Sequence, residues 1–129
     1  MAKAPVKKVA KVKVQTHGIE GFFIETHNFS KALAFYKALG FKVKFKTDHN
    51  SGELRHPAGG PYLFIAERPK SKKLEFTPVL GIESELTFKA PKEGKVASDF
   101  KKEHWGVMEM HLLDPDENLI RVHAKRKKK

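Results

Sequence analysis

At 129 residues, with no cysteine and a formal charge of +11, the chain is expected to fold as one domain around one core, which excludes a disulfide framework and thiolate metal or redox chemistry. Ten of those eleven charges sit in two tails. Lys3, Lys7, Lys8, Lys11 and Lys13 occupy residues 1–13 with no acid, and residues 125–129 are all Lys or Arg, so residues 14–124 carry a net +1.

Blocks of like charge favour solvation over packing, and the tails are read as solubilising segments, with weak, salt-sensitive nonspecific nucleic-acid binding as the alternative. Residues 1–14 lack the apolar run of a secretory signal, while their charge is compatible with an organellar presequence. The longest apolar runs, at residues 21–24 and 79–82, fall far short of the ~18 residues of a membrane span. No membrane partner is expected, and the missing cysteines fit a cytoplasmic location.

Residues 18–26 (GIEGFFIET) mix β-branched and aromatic side chains and predict a strand. Asn28 or Ser30 can cap a helix in which Phe29, Ala32, Leu33, Tyr36 and Leu39 form one apolar stripe, and Gly40 supplies the left-handed residue that ends it. Phe41, Val43 and Phe45 then alternate with Lys42, Lys44 and Lys46, the period of a strand with one wet face. Residues 52–56 predict a short strand, residues 57–61 a loop and residues 62–66 another strand. The order is β, α, β, β, β.

From Leu74 the even positions to Phe88 are apolar or neutral and the odd ones mostly polar, which predicts one long strand bent at Gly81. Residues 91–102 are expected to form a short helix burying Val96, Ala97 and Phe100, although Gly94 weakens it. Residues 105–124 (WGVMEMHLLDPDENLIRVHA) read as two strands joined by a turn. There Asp114 and Asn118 can bond back to their own backbone, and Pro115 keeps Asp114 out of the helical region.

WG, a mixed strand, DPDEN and a terminal apolar strand resemble the closing motif of the vicinal oxygen chelate superfamily of glyoxalases, bleomycin resistance proteins and extradiol dioxygenases. In its usual DPDGN the fourth residue is Gly, here Glu117. The stretch ETHNFSKALAFYKALGF is similar to the opening strand and helix of that superfamily, matched at Asn28, Ala32, Phe35, Tyr36, Leu39, Gly40 and Phe41. The resemblance covers most of residues 18–124. It implies an α+β fold in which two βαβββ modules, the second shortened, form a cupped, mostly antiparallel sheet with helices outside, as one domain over residues 14–124.

Metal-dependent members hold a divalent ion with His or Glu from the first and last strands of each module. The resemblance puts Gly21, a residue near Phe64, Glu83 or Glu85, and Arg121 at those four positions. A guanidinium has no lone pair to donate, so Arg121 replaces a ligand with a permanent cation. His17, His27, His49, His56, His104, His111 and His123 show no i, i+4 pair and no HExxH run, so spacing alone gives no zinc signature.

Arg121 is read two ways: facing a concave apolar pocket where it fixes an anionic or carbonyl group, or facing outward in a pair with an acid. In the first case Phe64, Phe23 and Tyr62 form the wall, Trp105 stands at the rim, and His123 and His111 lie on the same closing strands. Glu109, between Met108 and Met110, is a candidate acid or base if apolar neighbours raise its pKa. The leading expectation is a metal-free, homodimeric protein that binds an anionic or neutral aromatic small molecule. The alternative is a metal-dependent lyase or dioxygenase, with Zn, Ni, Fe or Mn held by relocated ligands such as Glu83, His111 and His123.

Overall fold

The computed structural model describes residues 16–103 and 106–124. The expectations for the basic tails and for Trp105 therefore lie outside the described residues. Within them the elements are β1 (Ile19–Thr26), α1 (Phe29–Ala38), β2 (Lys42–Lys46), β3 (Ser51–Arg55), β4 (Tyr62–Glu67), β5 (Phe76–Ile82), β6 (Lys95–Lys102), β7 (Met108–Leu113) and β8 (Leu119–Ala124). They form one open, mostly antiparallel sheet in the order β2-β3-β4-β1-β5-β8-β7-β6. Read outward from the β1–β5 junction, both halves run first, fourth, third, second strand. The parallel pairs β1–β4 and β5–β8 mark the same crossover in each.

The helix forms where capping and burial agree. Asn28 Oδ1 accepts the Lys31 backbone N–H at 3.0 Å, and Glu67 Oε1 accepts that of Phe29 at 2.8 Å, so two of the orphan donors of the first turn are satisfied. Phe29 and Leu33 are buried against Ile24, Leu54, Leu63 and Ile65, and each such side chain contributes roughly 1.5–3 kcal/mol of hydrophobic burial. Gly40, at φ 103°, ends the helix, and the Phe41 N–H closes onto Tyr36 O at 3.2 Å. Leu39, expected on the apolar stripe, is instead exposed at the C-cap.

Phe41, Val43 and Phe45 do not share one face. A bulge between Val43 and Phe45 pairs Val43 with Leu54 under the helix, but Phe45 with Glu53 on the opposite side. One extra residue in β2 reverses the parity of everything beyond it.

The second half departs further from expectation. The strand from Leu74 does not run to Phe88: it stops at Ile82, which pairs with Ala124. Beyond it Ser84 Oγ accepts the Leu86 N–H at 3.0 Å and Ser84 O accepts that of Thr87 at 3.3 Å, a side-chain-supported turn that competes with strand extension. β5 is also buried on both faces rather than one, with Ile82 in the core on the expected side. Thr77 and Val79 are buried, while Phe76 is 60 % exposed.

Residues 91–102 form no helix; residues 95–102 are edge strand β6, paired with β7. The outer edge of β7 offers a ladder of backbone groups, and pairing with it outweighs a marginal helix interrupted by Gly94. Any side chain at Gly94 would overlap Leu113 O, so its bare backbone is what lets the strand dock. Val96 and Ala97 are exposed rather than buried. Phe100 meets Phe88 edge-on at 6.2 Å and packs on the core of Ile82, Met110, Leu112, Val122 and Ala124. The segment carrying Phe88 and Ala90 thus covers the face that α1 covers in the first half.

The closing hairpin is as predicted. Asp114 Oδ1 accepts the N–H of both Asp116 and Asn118 at 2.9 Å, and the Asp114 N–H donates to Asn118 O at 3.0 Å. Glu117 sits at φ 68°, the left-handed region that favours glycine. Among the described residues no helix is long and apolar enough to cross a membrane.

Candidate functional site

Residues paired directly across a ladder point to the same side of a sheet. Phe23 on β1 pairs with Phe64 on β4 and with Thr77 on β5, Val79 on β5 pairs with Arg121 on β8, and Arg121 and His123 pair with His111 and Glu109 on β7. All of these lie on the face opposite α1, called the open face below. Met108, Met110 and Val122, one residue out of step, belong to the core on the other side.

The apolar part of the open face is a row of rings. Phe23 stacks on Phe64 at 5.7 Å with 15° between planes, and Phe45 joins Phe64 at 6.4 Å because of the bulge in β2. The Tyr62 ring fills the space a side chain at Gly21 would occupy, so Gly21 at the first expected ligand position serves packing. Tyr62 OH donates to Glu20 Oε2 at 3.2 Å, and burial followed by the Glu20 carboxylate pushes the phenol well above its ordinary range.

The polar part is centred on Glu109, only 3 % exposed at its side chain. Arg121 Nη1 donates to its Oε2 at 2.6 Å, His111 Nε2 lies 2.7 Å from the same oxygen, and His123 Nε2 lies 3.2 Å from Oε1. Arg121 also donates from Nε to Thr77 Oγ1 at 3.1 Å, and its guanidinium carbon stands 4.1 Å from the centre of the Phe23 ring. Its Nη2 lies 3.8 Å from Glu75 Oε1, too far for a hydrogen bond.

Burial alone would raise the Glu109 pKa, but the bonds from His123 and His111 and the Arg121 charge outweigh it and bring the carboxyl down to about 2. Burial likewise opposes charge on His123, and Glu109 and Glu20 overcome it, raising the imidazole to about 9. Glu20 reaches His123 because β1 is irregular between Ile19 and Gly21. Its carboxylate stands 3.6 Å from His123 Nδ1 and uses the space left by Gly81, where a Cβ would come within 2.5 Å of Oε1.

A second buried carboxylate, Glu25, ties the β4–β5 connection down. Arg68 Nε and Lys72 Nζ both donate to it at 2.9 Å, and so does the Glu75 backbone N–H at 3.0 Å.

The structure therefore brings Arg121, Phe23, Phe64, Tyr62, His111, His123 and Glu109 onto one face. Arg121 combines its two expected readings: it shares the open face with the rings, and it is paired with an acid. The expectation that Glu109 has a raised pKa is reversed, because strand parity turns it away from Met108 and Met110 and toward three nitrogen-bearing side chains. Glu83 lies beyond β5, exposed, 3.4 Å from His17, and Glu85 is in the turn that follows. Neither occupies the third ligand position, where β5 places Thr77 and Val79. Glu20, Thr77 and Glu75 were not singled out from sequence. Glu20 depends on a local irregularity, whereas Thr77 lies on the face of β5 that its sequence period assigned to solvent and the structure also buries.

The four facing positions on the central strands hold Phe23, Phe64, Thr77 and Arg121, of which only Thr77 offers a lone pair, and a permanent cation stands among them. Glu109, His111 and His123 already satisfy one another, and among the described residues no group of three or more His, Asp or Glu is disposed to hold a metal. A separate groove of about 440 Å³ lies on the far side of β1, between the start of α1 and Leu74. It includes none of the site residues expected from sequence.

No family model matches the chain, and no curated protein matches it. Solved structures do. A glyoxalase/bleomycin resistance protein/dioxygenase superfamily member from Vibrio splendidus 12B01 aligns with 14 % identity over 81 % of this chain and 97 % of its own, at a TM-score of 0.53. A protein described as an NAD-dependent benzaldehyde dehydrogenase from Legionella pneumophila aligns with 16 % identity over the same shares, at 0.60. The Mn(II)-bound glyoxalase from Novosphingobium aromaticivorans aligns with 17 % identity over 89 % of this chain, at 0.57, and this chain spans only 43 % of it. The chain thus has the fold found in glyoxalase/bleomycin resistance/dioxygenase superfamily structures, with its two sheet-forming halves and, in the second half, a segment in place of the helix.

Proposed function

We propose that this chain is a glyoxalase/bleomycin resistance/dioxygenase superfamily protein that binds an aromatic small molecule, anionic or neutral, on its open face without a metal. The observation that carries this reading is the juxtaposition of Arg121 with Phe23 and Phe64. A flat apolar surface lies directly beside a guanidinium whose Nη2 makes no hydrogen bond among the described residues. A planar ring is accommodated against Phe64 and Phe45, and a carboxylate or carbonyl oxygen is taken by Nη2. Because Nε and Nη1 are already held by Thr77 and Glu109, the donor edge is fixed before the ligand arrives, which lowers the ordering cost of binding.

Calorimetric titration with phenylacetate tests the reading. Saturable one-site binding is expected, weakened about tenfold by Phe64→Ala, since losing a stacking face costs about 1.4 kcal/mol. Native mass spectrometry of protein purified without an affinity tag supplies the metal arm. Stoichiometric Ni, Zn, Fe or Mn would overturn the metal-free part.

A further inference from the structure

We propose that the open face takes an aromatic α-amino acid, its ammonium group held by Glu75 and its carboxylate by Arg121. The proposal rests on the binding reading above and narrows it, since such a ligand is neutral overall while carrying both charges.

Glu75 stands immediately before β5, and its carboxylate shares the open face with Arg121: Oε1 lies 3.8 Å from Arg121 Nη2. The same guanidinium donates from Nε to Thr77 Oγ1 at 3.1 Å and stands 4.1 Å from the centre of the Phe23 ring. Acid, cation and ring therefore meet in one neighbourhood, where β1 and β5 pair Phe23 with Thr77. The other cations nearby are engaged by a different carboxylate. Arg68 Nε and Lys72 Nζ both donate to the buried Glu25 at 2.9 Å, and Glu109 takes Arg121 Nη1 at 2.6 Å. The Glu75 side chain is 42 % exposed, so its carboxylate faces the solvent from which a ligand arrives.

At 3.8 Å, Nη2 and Oε1 are too far apart to hydrogen-bond each other, and each keeps capacity for a partner of opposite charge. An α-amino acid carries its ammonium and carboxylate on one carbon, so it lies across that gap with the charges alternating: carboxylate on Nη2, ammonium on Oε1. Neither protein charge is left facing its own sign. A ligand with a carboxylate alone satisfies Arg121 but sets its anion beside Glu75, and an amine alone sets its cation beside Arg121. Glu75 thus selects against simple aryl carboxylates, and Arg121 against simple aryl amines. The aromatic side chain of the ligand extends toward Phe23 and Phe64, which stack at 5.7 Å.

The test is calorimetric titration of wild type and Glu75→Gln with L-phenylalanine, with 3-phenylpropanoate, which lacks only the ammonium, and with 2-phenylethylamine, which lacks only the carboxylate. Wild type is expected to bind phenylalanine at least about fivefold more tightly than either analogue, a modest factor because water partly screens Glu75. Glu75→Gln should erase the preference for phenylalanine over 3-phenylpropanoate while binding 3-phenylpropanoate at least as tightly as wild type does. The altered side chain is half-exposed and the backbone N–H at this position keeps its 3.0 Å bond to Glu25, so the variant retains the fold. An analogue that binds wild type as tightly as phenylalanine, or a preference that survives Glu75→Gln, overturns the proposal; saturable binding of 3-phenylpropanoate then leaves the binding reading standing. Absence of saturable binding by both phenylalanine and 3-phenylpropanoate overturns both.

Discussion

The guanidinium of Arg121 lies 4.1 Å from the centre of the Phe23 ring, and the two side chains come from the two halves of the sheet. Arg121 is only 13 % exposed, so this contact operates largely out of water, where a cation over a ring contributes about 1–2 kcal/mol. Phe23→Leu keeps most of the apolar volume and removes the π face. It is expected to lower stability by about 1–2 kcal/mol in urea unfolding, with the m-value unchanged.

Arg121 and Glu109 form a buried ion pair, and breaking it from one side strands a charge. Arg121→Met should cost about 3 kcal/mol, because Glu109 remains buried with only imidazole partners. The double variant Arg121→Met/Glu109→Gln should lose less than the sum of the two single changes. Strict additivity in that cycle would show that the two residues do not couple.

The pH dependence of stability follows from the signs of two shifts. Glu109 is depressed to about 2 in the folded chain from 4.5, so its contribution is present above pH 4.5 and is lost as pH falls toward 2. His123 is raised to about 9 from 6.5, so its contribution is present below pH 6.5 and is lost as pH rises toward 9. Urea midpoints should therefore be highest between about pH 4.5 and 6.5, and His123→Gln should flatten the alkaline arm and also weaken the acid one, because the His123 bond helps hold the Glu109 carboxyl down.

In the closing turn, Glu117 holds a backbone conformation that costs a non-glycine residue roughly 1–2 kcal/mol. Its ion pair with Lys95, at 3.5 Å between exposed side chains, offsets little of that. Glu117→Gly relieves the strain but frees the unfolded chain, so a net gain of about 0.5–1 kcal/mol is expected, read as a higher melting temperature.

Which parts of this architecture were legible in the sequence depended on whether a local rule decided them. Asn28, the stripe of Phe29 and Leu33, and Gly40 mark α1 by local rules, and Asp114 specifies the closing turn through its own side chain. Strand parity from the period of β8 put Arg121 and His123 on one face, and the register agrees. The failures lie where a tertiary partner or a one-residue irregularity decides. Residues 95–102 became β6 because β7 had an open edge, Phe45 changed sides at a bulge, and Glu20 entered the polar cluster through the irregular start of β1. Glu109 was misjudged because its sequence neighbours, Met108 and Met110, are not its neighbours in space.

Chemical-shift mapping tests the central claim most directly: ¹⁵N-labelled protein titrated with phenylacetate, with no added metal. The account predicts saturable shifts concentrated at Phe23, Phe64, His111 and Arg121 on the open face. Shifts concentrated instead around Phe35 and Leu74, in the groove beside α1, would place the ligand on the wrong side of the sheet and contradict it.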